Sequence, residues 1–221
     1  MGISERKIRE KESRRENIVN AAEKIIRVKG FEGMTMDDVA VIAELGKGTI
    51  YLYFKNKTDL YHAVVCRGLH LLKNIFEKTI KKKATGIENL IAIGRAYYNF
   101  CSDYPLYFNA MIHQEVLEVE WEEQVEYEGV KCCEQASNQI FALMAELVRK
   151  GIEDGSIRPD LQPQKLTVLM WAQISGVLKM TAAKNEVLEK FMGISAGELI
   201  EFHFELVRQA ITPQKKNGAK P

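Results

Sequence analysis

The chain has 221 residues, 46% hydrophobic and 28% charged, with five prolines and a net charge of +1. That length buries a sizeable core in one large or two small domains, and the composition excludes extended disorder away from the ends. Charge balance points to neither nucleic acid nor membrane. No apolar run reaches the roughly 20 residues that span a bilayer, and the N-terminus lacks a signal peptide's apolar stretch, so the expected location is cytoplasmic.

Nearly every segment carries helical periodicity and none a strand period, so the expected fold class is all-α. The beginning is mildly basic, with 12 Lys/Arg against 9 Asp/Glu up to Lys57 and Arg6, Lys7, Arg9, Lys11, Arg14 and Arg15 crowded together. Before Ser13 this reads as a solvated arm; the sharper alternative extends the first helix over a phosphate or enters a minor groove. Ile18, Ala21, Ala22, Ile25 and Ile26 then mark one buried helical face, and Gly30 stands where a left-handed C-cap belongs. Thr35, with Asp38 three positions on, is an N-cap signal for a short helix ending near Glu44–Gly46. A second short helix follows, and Asn56–Asp59 caps a longer one of five to seven turns carrying Leu60, Val64, Leu71, Leu72, Ile75 and Phe76. Further helices are expected over about 87–101, 106–114, 120–151, 164–185 and 196–211. The clearest late break is "GSIRPDLQP", and residues 212–221 read as a loose tail.

The stretch "GKGTIYLYF", Gly46 to Phe54, resembles a phosphate-binding loop only superficially. A P-loop needs Ser or Thr after its lysine and a strand before it. Here Gly48 follows Lys47, and a helix precedes. As a recognition helix the stretch is coherent. Ile50 and Phe54, four apart, anchor it to the module's other helices. Lys47, Gly48 and Thr49 fill the first turn, the end that helix-turn-helix proteins direct at base edges. Tyr51 faces away from the anchors, suited to phosphate and sugar contacts, and Lys57 opens the next helix where free N–H groups favour a phosphate.

The run "TMDDVAVIAELGKGTIYLYFKNKTDLYHAV", following "GFEGMT", closely resembles the DNA-binding module of the TetR family of transcriptional regulators. The pattern x-G-T-[LI]-Y-x-[HY]-F followed by K-x-x-L carries the likeness, which is dense from Asn17 to Val65. The resemblance implies an all-α homodimer with a DNA module over 1–56 and a ligand-binding and dimerisation domain over 57–211. It also implies a repressor of a pseudo-palindromic double-stranded operator, released by a small-molecule effector. Carried over by position, Thr35, Tyr51, Tyr53 and Lys57 would meet phosphates, and Lys47, Gly48 and Thr49 bases or backbone. Members often have glycine where this chain has Glu44, and histidine where it has Tyr53.

Beyond the module the resemblance is one of layout. The last two helices carry apolar stripes (Leu166, Leu169, Met170, Ile174, Val177 and Leu178; Leu199, Phe202, Leu206 and Val207), and Gly176 permits close helix approach. The resemblance assigns Leu166, Met170, Ile174, Gly176, Val177, Phe202 and Leu206 to a dimer interface. An intrachain core would produce the same stripes. Aromatic and soft residues suited to an apolar effector pocket are Tyr97, Phe100, Tyr104, Phe108, Met111, His113, Trp121 and Trp171. Seven acids between Glu115 and Glu128 read as a solvated segment, or as a portal for a cationic ligand.

The four cysteines form no CxxC pair and no zinc-like spacing with the four histidines, so reduced thiols, no metal and no cofactor are expected. No histidine follows a glutamate by three, which removes the di-iron bundle pattern, and no catalytic triad stands out. The expectation is a regulator, not an enzyme. The alternative is a helical ligand-binding protein or co-regulator that has lost sequence-specific DNA binding.

Overall fold

A computed structural model of the chain describes residues 3–116 and 127–214. Among the described residues there is no strand. The helices, in chain order, are α1 (Ile3–Gly33), α2 (Met36–Ala43), α3 (Lys47–Tyr51), α4 (Lys57–Thr79), α5 (Gly86–Asp103), α6 (Pro105–Val116), α7 (Glu128–Glu153), α8 (Pro163–Val187) and α9 (Ala196–Ile211). A single π-helical turn, Leu188–Met192, extends α8.

Two compact units divide the chain, one taking residues up to 71 with 103–137, the other 72–102 with the remainder from 138. This division differs from a boundary at 56/57. The first unit keeps α6 and the start of α7 together with the long α1 and the short α2 and α3.

The first unit is built on a core of Ile18, Ala22, Ile25, Val39, Ile50, Phe54, Leu60 and Val64, all 3% exposed or less. The basic arm expected to be solvated chain is helical from Ile3, with an exposed Arg6–Glu10 pair one turn apart. Gly30 interrupts α1 at φ 71° and ψ 174°. This is not the left-handed helical cap that the sequence suggested but the mirror-extended region, which only glycine enters readily. Thr35 closes a capping box: its hydroxyl accepts from the Asp38 N–H at 3.1 Å and donates to the Asp38 carboxylate at 2.9 Å. Such a cap is worth about 1 kcal/mol. At the start of α4, the Asn56 side-chain amide oxygen accepts from the Asp59 N–H at 2.8 Å. Arg67 holds α4 to α1 through Asn20 and Glu23, and Glu23 also accepts from the Tyr107 hydroxyl on α6. Burial works against the guanidinium charge, yet Glu23 and Glu16 hold it more firmly protonated than usual.

In the second unit, Asn89 is 1% exposed and clasps the α4–α5 loop, donating to the carbonyl and accepting from the N–H of Lys81. Asp154 accepts from the Gly86 N–H at 2.7 Å, tying the start of α5 to the end of α7. The α8 helix shows two apolar faces. Leu166, Ile174 and Leu178 are buried, whereas Val168, Leu169 and Met180 are at least half exposed. Contrary to the sequence expectation, the stretch Pro163–Met192 is long and apolar enough, by length and composition, to cross a membrane. Its apolar content is divided between a face packed within the chain and an exposed face.

Candidate functional site: a DNA-reading module and an apolar crevice

The recognition segment is held from below. Ile50 and Phe54 are 0% and 1% exposed, and the Phe54 N–H donates to the Ile50 carbonyl at 3.0 Å. Burying two such side chains is worth about 1.5–3 kcal/mol each as an upper estimate, enough to seat a helix of five residues that could not persist alone. Lys47 and Gly48 are exposed, Thr49 half-buried. A Cβ built on Gly48 would meet nothing within 4 Å, so the fold itself does not demand glycine there.

The turn between α2 and α3 answers the question raised by Glu44. Its backbone adopts φ 56° and ψ 40°, left-handed, and its N–H caps α2 by donating toward the Ala40 and Val41 carbonyls. Glycine enters this region without strain, and here a side chain occupies a position that disfavours one.

The cations of this surface are tied down by neighbours. Lys47 pairs with Asp37 at 2.7 Å, and that hydrogen bond raises the lysine's pKa above its ordinary value. Lys29 bonds Asp38 at 3.0 Å, holding that carboxyl below the usual range with help from Thr35. Lys57 donates to the Glu32 carbonyl at 3.0 Å, with its ammonium 4.4 Å from the Phe31 ring centroid. Tyr51 is 46% exposed, but Tyr53 is half-buried against the module's core. Thr35 keeps its hydroxyl in the capping box.

The expected pocket residues fall in both units. Tyr97, Phe100 and Trp171 lie in the second; Tyr104, Phe108, Met111 and His113 lie in the first. Trp121 and the acids 118–126 lie outside the described residues. Phe108 and Met111 are buried at 3% and 6% exposure, while Tyr104 is exposed. His113 lines a cleft of about 460 Å³ between α1, α4 and α6, with Phe31 and Tyr61 beside it.

The second unit contains the more apolar site. Phe76, Leu90, Tyr97, Met144, Trp171 and Phe204, drawn from five helices, converge on a crevice. Tyr97 and Trp171 stack at 4.8 Å between centroids, and the Tyr97 hydroxyl lies 3.5 Å from the Ser175 hydroxyl. Gly94 lets the Phe204 ring approach α5, since a Cβ there would stand 2.6 Å from the ring edge. The crevice has about 30 Å³ of free volume, room for one water, so its walls are closed on each other. His203 lines it too, and burial lowers the pKa of its imidazole. Residue lists from sequence missed Met144, Ser175, His203 and Phe204. Their helical stripes were visible, but nothing in the spacing showed which faces met.

Of the residues assigned to a dimer interface, Leu166 and Ile174 are buried within the chain, and Met170 lines the crevice. Gly176 is exposed and Val177 half-buried, and Phe202 and Leu206 are 60% and 49% exposed. Leu169 and Met180, more than half and half exposed, extend that open apolar surface.

A capped short helix, a tight turn and a second short helix with an open polar N-terminal face define a helix-turn-helix DNA-binding regulator. Residues 18–64 match the family described as "Bacterial regulatory proteins, tetR family". The fatty acid metabolism regulator protein of Bacillus subtilis (strain 168) is 24% identical over 183 residues, covering 78% of this chain and 90% of that protein. An uncharacterised HTH-type transcriptional regulator, YhgD, from the same organism is 28% identical over 150 residues, or 66% of this chain and 73% of the relative. Among solved structures, the transcriptional regulator FadR from Bacillus subtilis in complex with stearoyl-CoA superposes with a TM-score of 0.67. It is 20% identical, and the match covers 88% of this chain and 98% of FadR. Residues 18–64 form the DNA-binding module of the TetR family of transcriptional regulators, and the chain as a whole resembles these relatives.

Proposed function

We propose that the chain is a homodimeric, non-enzymatic repressor that leaves a pseudo-palindromic operator when an apolar acyl group, carried as a thioester, enters the crevice around Tyr97 and Trp171. The observation that carries the effector reading is the crevice itself: aromatic and thioether walls from five helices, with Tyr97 and Ser175 as a polar handle. The stearoyl-CoA complex of FadR supports an acyl thioester as the class. A ligand pocket ordinarily holds several hundred Å³, so entry requires the walls to part. Unbranched Met144 and Met170 can yield, and Trp171 must leave its stack on Tyr97.

On the DNA side, Lys47, Gly48 and Thr49 read bases, while Thr35, Tyr51, Tyr53 and Lys57 position the module on phosphates. The open space beside Gly48 supports this reading, because a residue without a side chain lets the helix approach a groove closely. Thr35 serves through the helix end it caps rather than through a spare hydroxyl. The exposed apolar surface of α8 and α9 is the dimer surface. Trp121, placed among the effector contacts by its residue type, keeps that role only as an expectation. A second reading places the effector in the cleft beside His113, on the strength of its larger volume.

The test is a titration of stearoyl-CoA into the Trp121→Phe protein, in which Trp171 is the sole tryptophan. Saturable change in its emission, abolished by Gly94→Leu but not by His113→Ala, is the expected result. Loss with His113→Ala alone would transfer the site to the first unit, and no response to acyl thioesters of any length would reject the effector class.

A further inference from the structure

Cys66 and His70 lie four residues apart on α4, so they share one helical face. Cys132, on α7, meets that face. Cys66 and Cys132 are bonded to each other in this structure, with Cα atoms 5.8 Å apart. The His70 Nε2 stands 3.6 Å from the Cys132 sulfur, and the three donor atoms all lie within 4.8 Å of one another. A disulfide has no need of that imidazole, whereas a metal ion does. A tetrahedral zinc ion, with bonds of about 2.3 Å to sulfur and 2.05 Å to nitrogen, sets those two ligands about 3.6 Å apart. A regulator that meets DNA also works in the reducing compartment, where dithiols prevail over disulfides.

We propose that in the reduced protein Cys66, His70 and Cys132 bind a zinc-class divalent cation, with the fourth position open to water. Reduction of the disulfide by a phosphine yields two thiols: the phosphine gives up two electrons and becomes its oxide, and one water supplies the oxygen and the two protons. Binding the dication then releases two protons, leaving a neutral Cys₂ core with neutral His70. Cys66 is buried, Cys132 half-buried and His70 exposed, so the ion enters from the solvent side. The remaining described thiols are differently placed. Cys133 is buried and donates to the His62 carbonyl at 3.2 Å, and burial pushes the Cys101 thiol up to about 12. Occupancy ties α4 to α7 within the first unit and does not depend on the effector reading above.

The experiment is a cobalt(II) titration of the full-length protein, reduced with a phosphine and kept anaerobic. Expected is a thiolate-to-cobalt charge-transfer band that saturates at one ion per chain and is displaced by zinc. Cys132→Ser abolishes it, His70→Ala weakens binding tenfold or more, and Cys133→Ser and Cys101→Ser leave it unchanged. Zinc also raises the thermal midpoint of the wild type and not of His70→Ala. Cys132 and His70 are surface-accessible, so these two variants decide the matter even if Cys66→Ser fails to fold. Absence of the band in reduced wild type, its survival in Cys132→Ser, or a disulfide that resists the phosphine overturns the proposal.

Discussion

Replacing Glu44 by glycine tests the physics of the reading turn. Glu44 holds φ 56° and ψ 40°, a conformation that costs an ordinary L-residue about 1–2 kcal/mol. Glycine removes that strain but brings an unfolded-state entropy penalty of about 0.5–1 kcal/mol. The net expectation is a stabilisation of about 0.5–1 kcal/mol, or a rise of about 1–4 °C in the thermal midpoint for a chain this long. The exposed carboxylate also leaves the surface that carries Lys47, so affinity for DNA rises at low salt. Glu44→Gln separates the two effects: it keeps the strain, leaves the midpoint unchanged and gives the same gain in DNA affinity. Calorimetry and fluorescence anisotropy on both variants provide the readout. A midpoint that falls in Glu44→Gly would refute the strain argument, and equal DNA affinity in all three proteins would refute the electrostatic one.

Lys47→Ala should weaken operator binding roughly five- to a hundred-fold while sparing unrelated DNA, and Asp37→Asn, which frees that lysine, should strengthen binding; competition with scrambled DNA separates base from backbone contact. Lys57→Ala should weaken all sequences alike and reduce the slope of log affinity on log salt by about one. Leu206→Glu places a charge on the exposed surface of α9, so sedimentation should show monomers with unchanged helicity. Burial keeps His62 below its ordinary value of 6.5, with Asp59 pulling weakly the other way. The unfolded chain therefore binds the proton first, and stability should fall as pH drops through 6.5, less steeply in His62→Gln. Denaturant midpoints between pH 5 and 8 measure it.

Helix existence was legible because the apolar positions of α4, α8 and α9 recur at helical spacing, and the Thr35–Asp38 box announced α2 by residue type alone. Glycine at position 30 was legible as punctuation, but not the mirror-extended conformation it takes. The helical arm before Ser13 was hidden because it carries no apolar stripe: Ile8, 55% exposed, stands among interleaved charges. Burial of Leu166 and Ile174 could not be told from an interface by periodicity, which marks an apolar face without naming its partner. The thiol–imidazole trio escaped for a related reason. Cys66 and His70 are one turn apart, a pattern readable on α4, but Cys132 joins them only through packing of α7.

The central claim, a regulator whose operator grip is released by an acyl thioester, is tested most directly by footprinting the DNA flanking its own gene with and without stearoyl-CoA. The account predicts two protected half-sites about 34–36 Å apart, or a simple multiple, lost in the presence of the thioester and retained with free coenzyme A. Protection at no defined site, or a footprint indifferent to every acyl thioester, would contradict it.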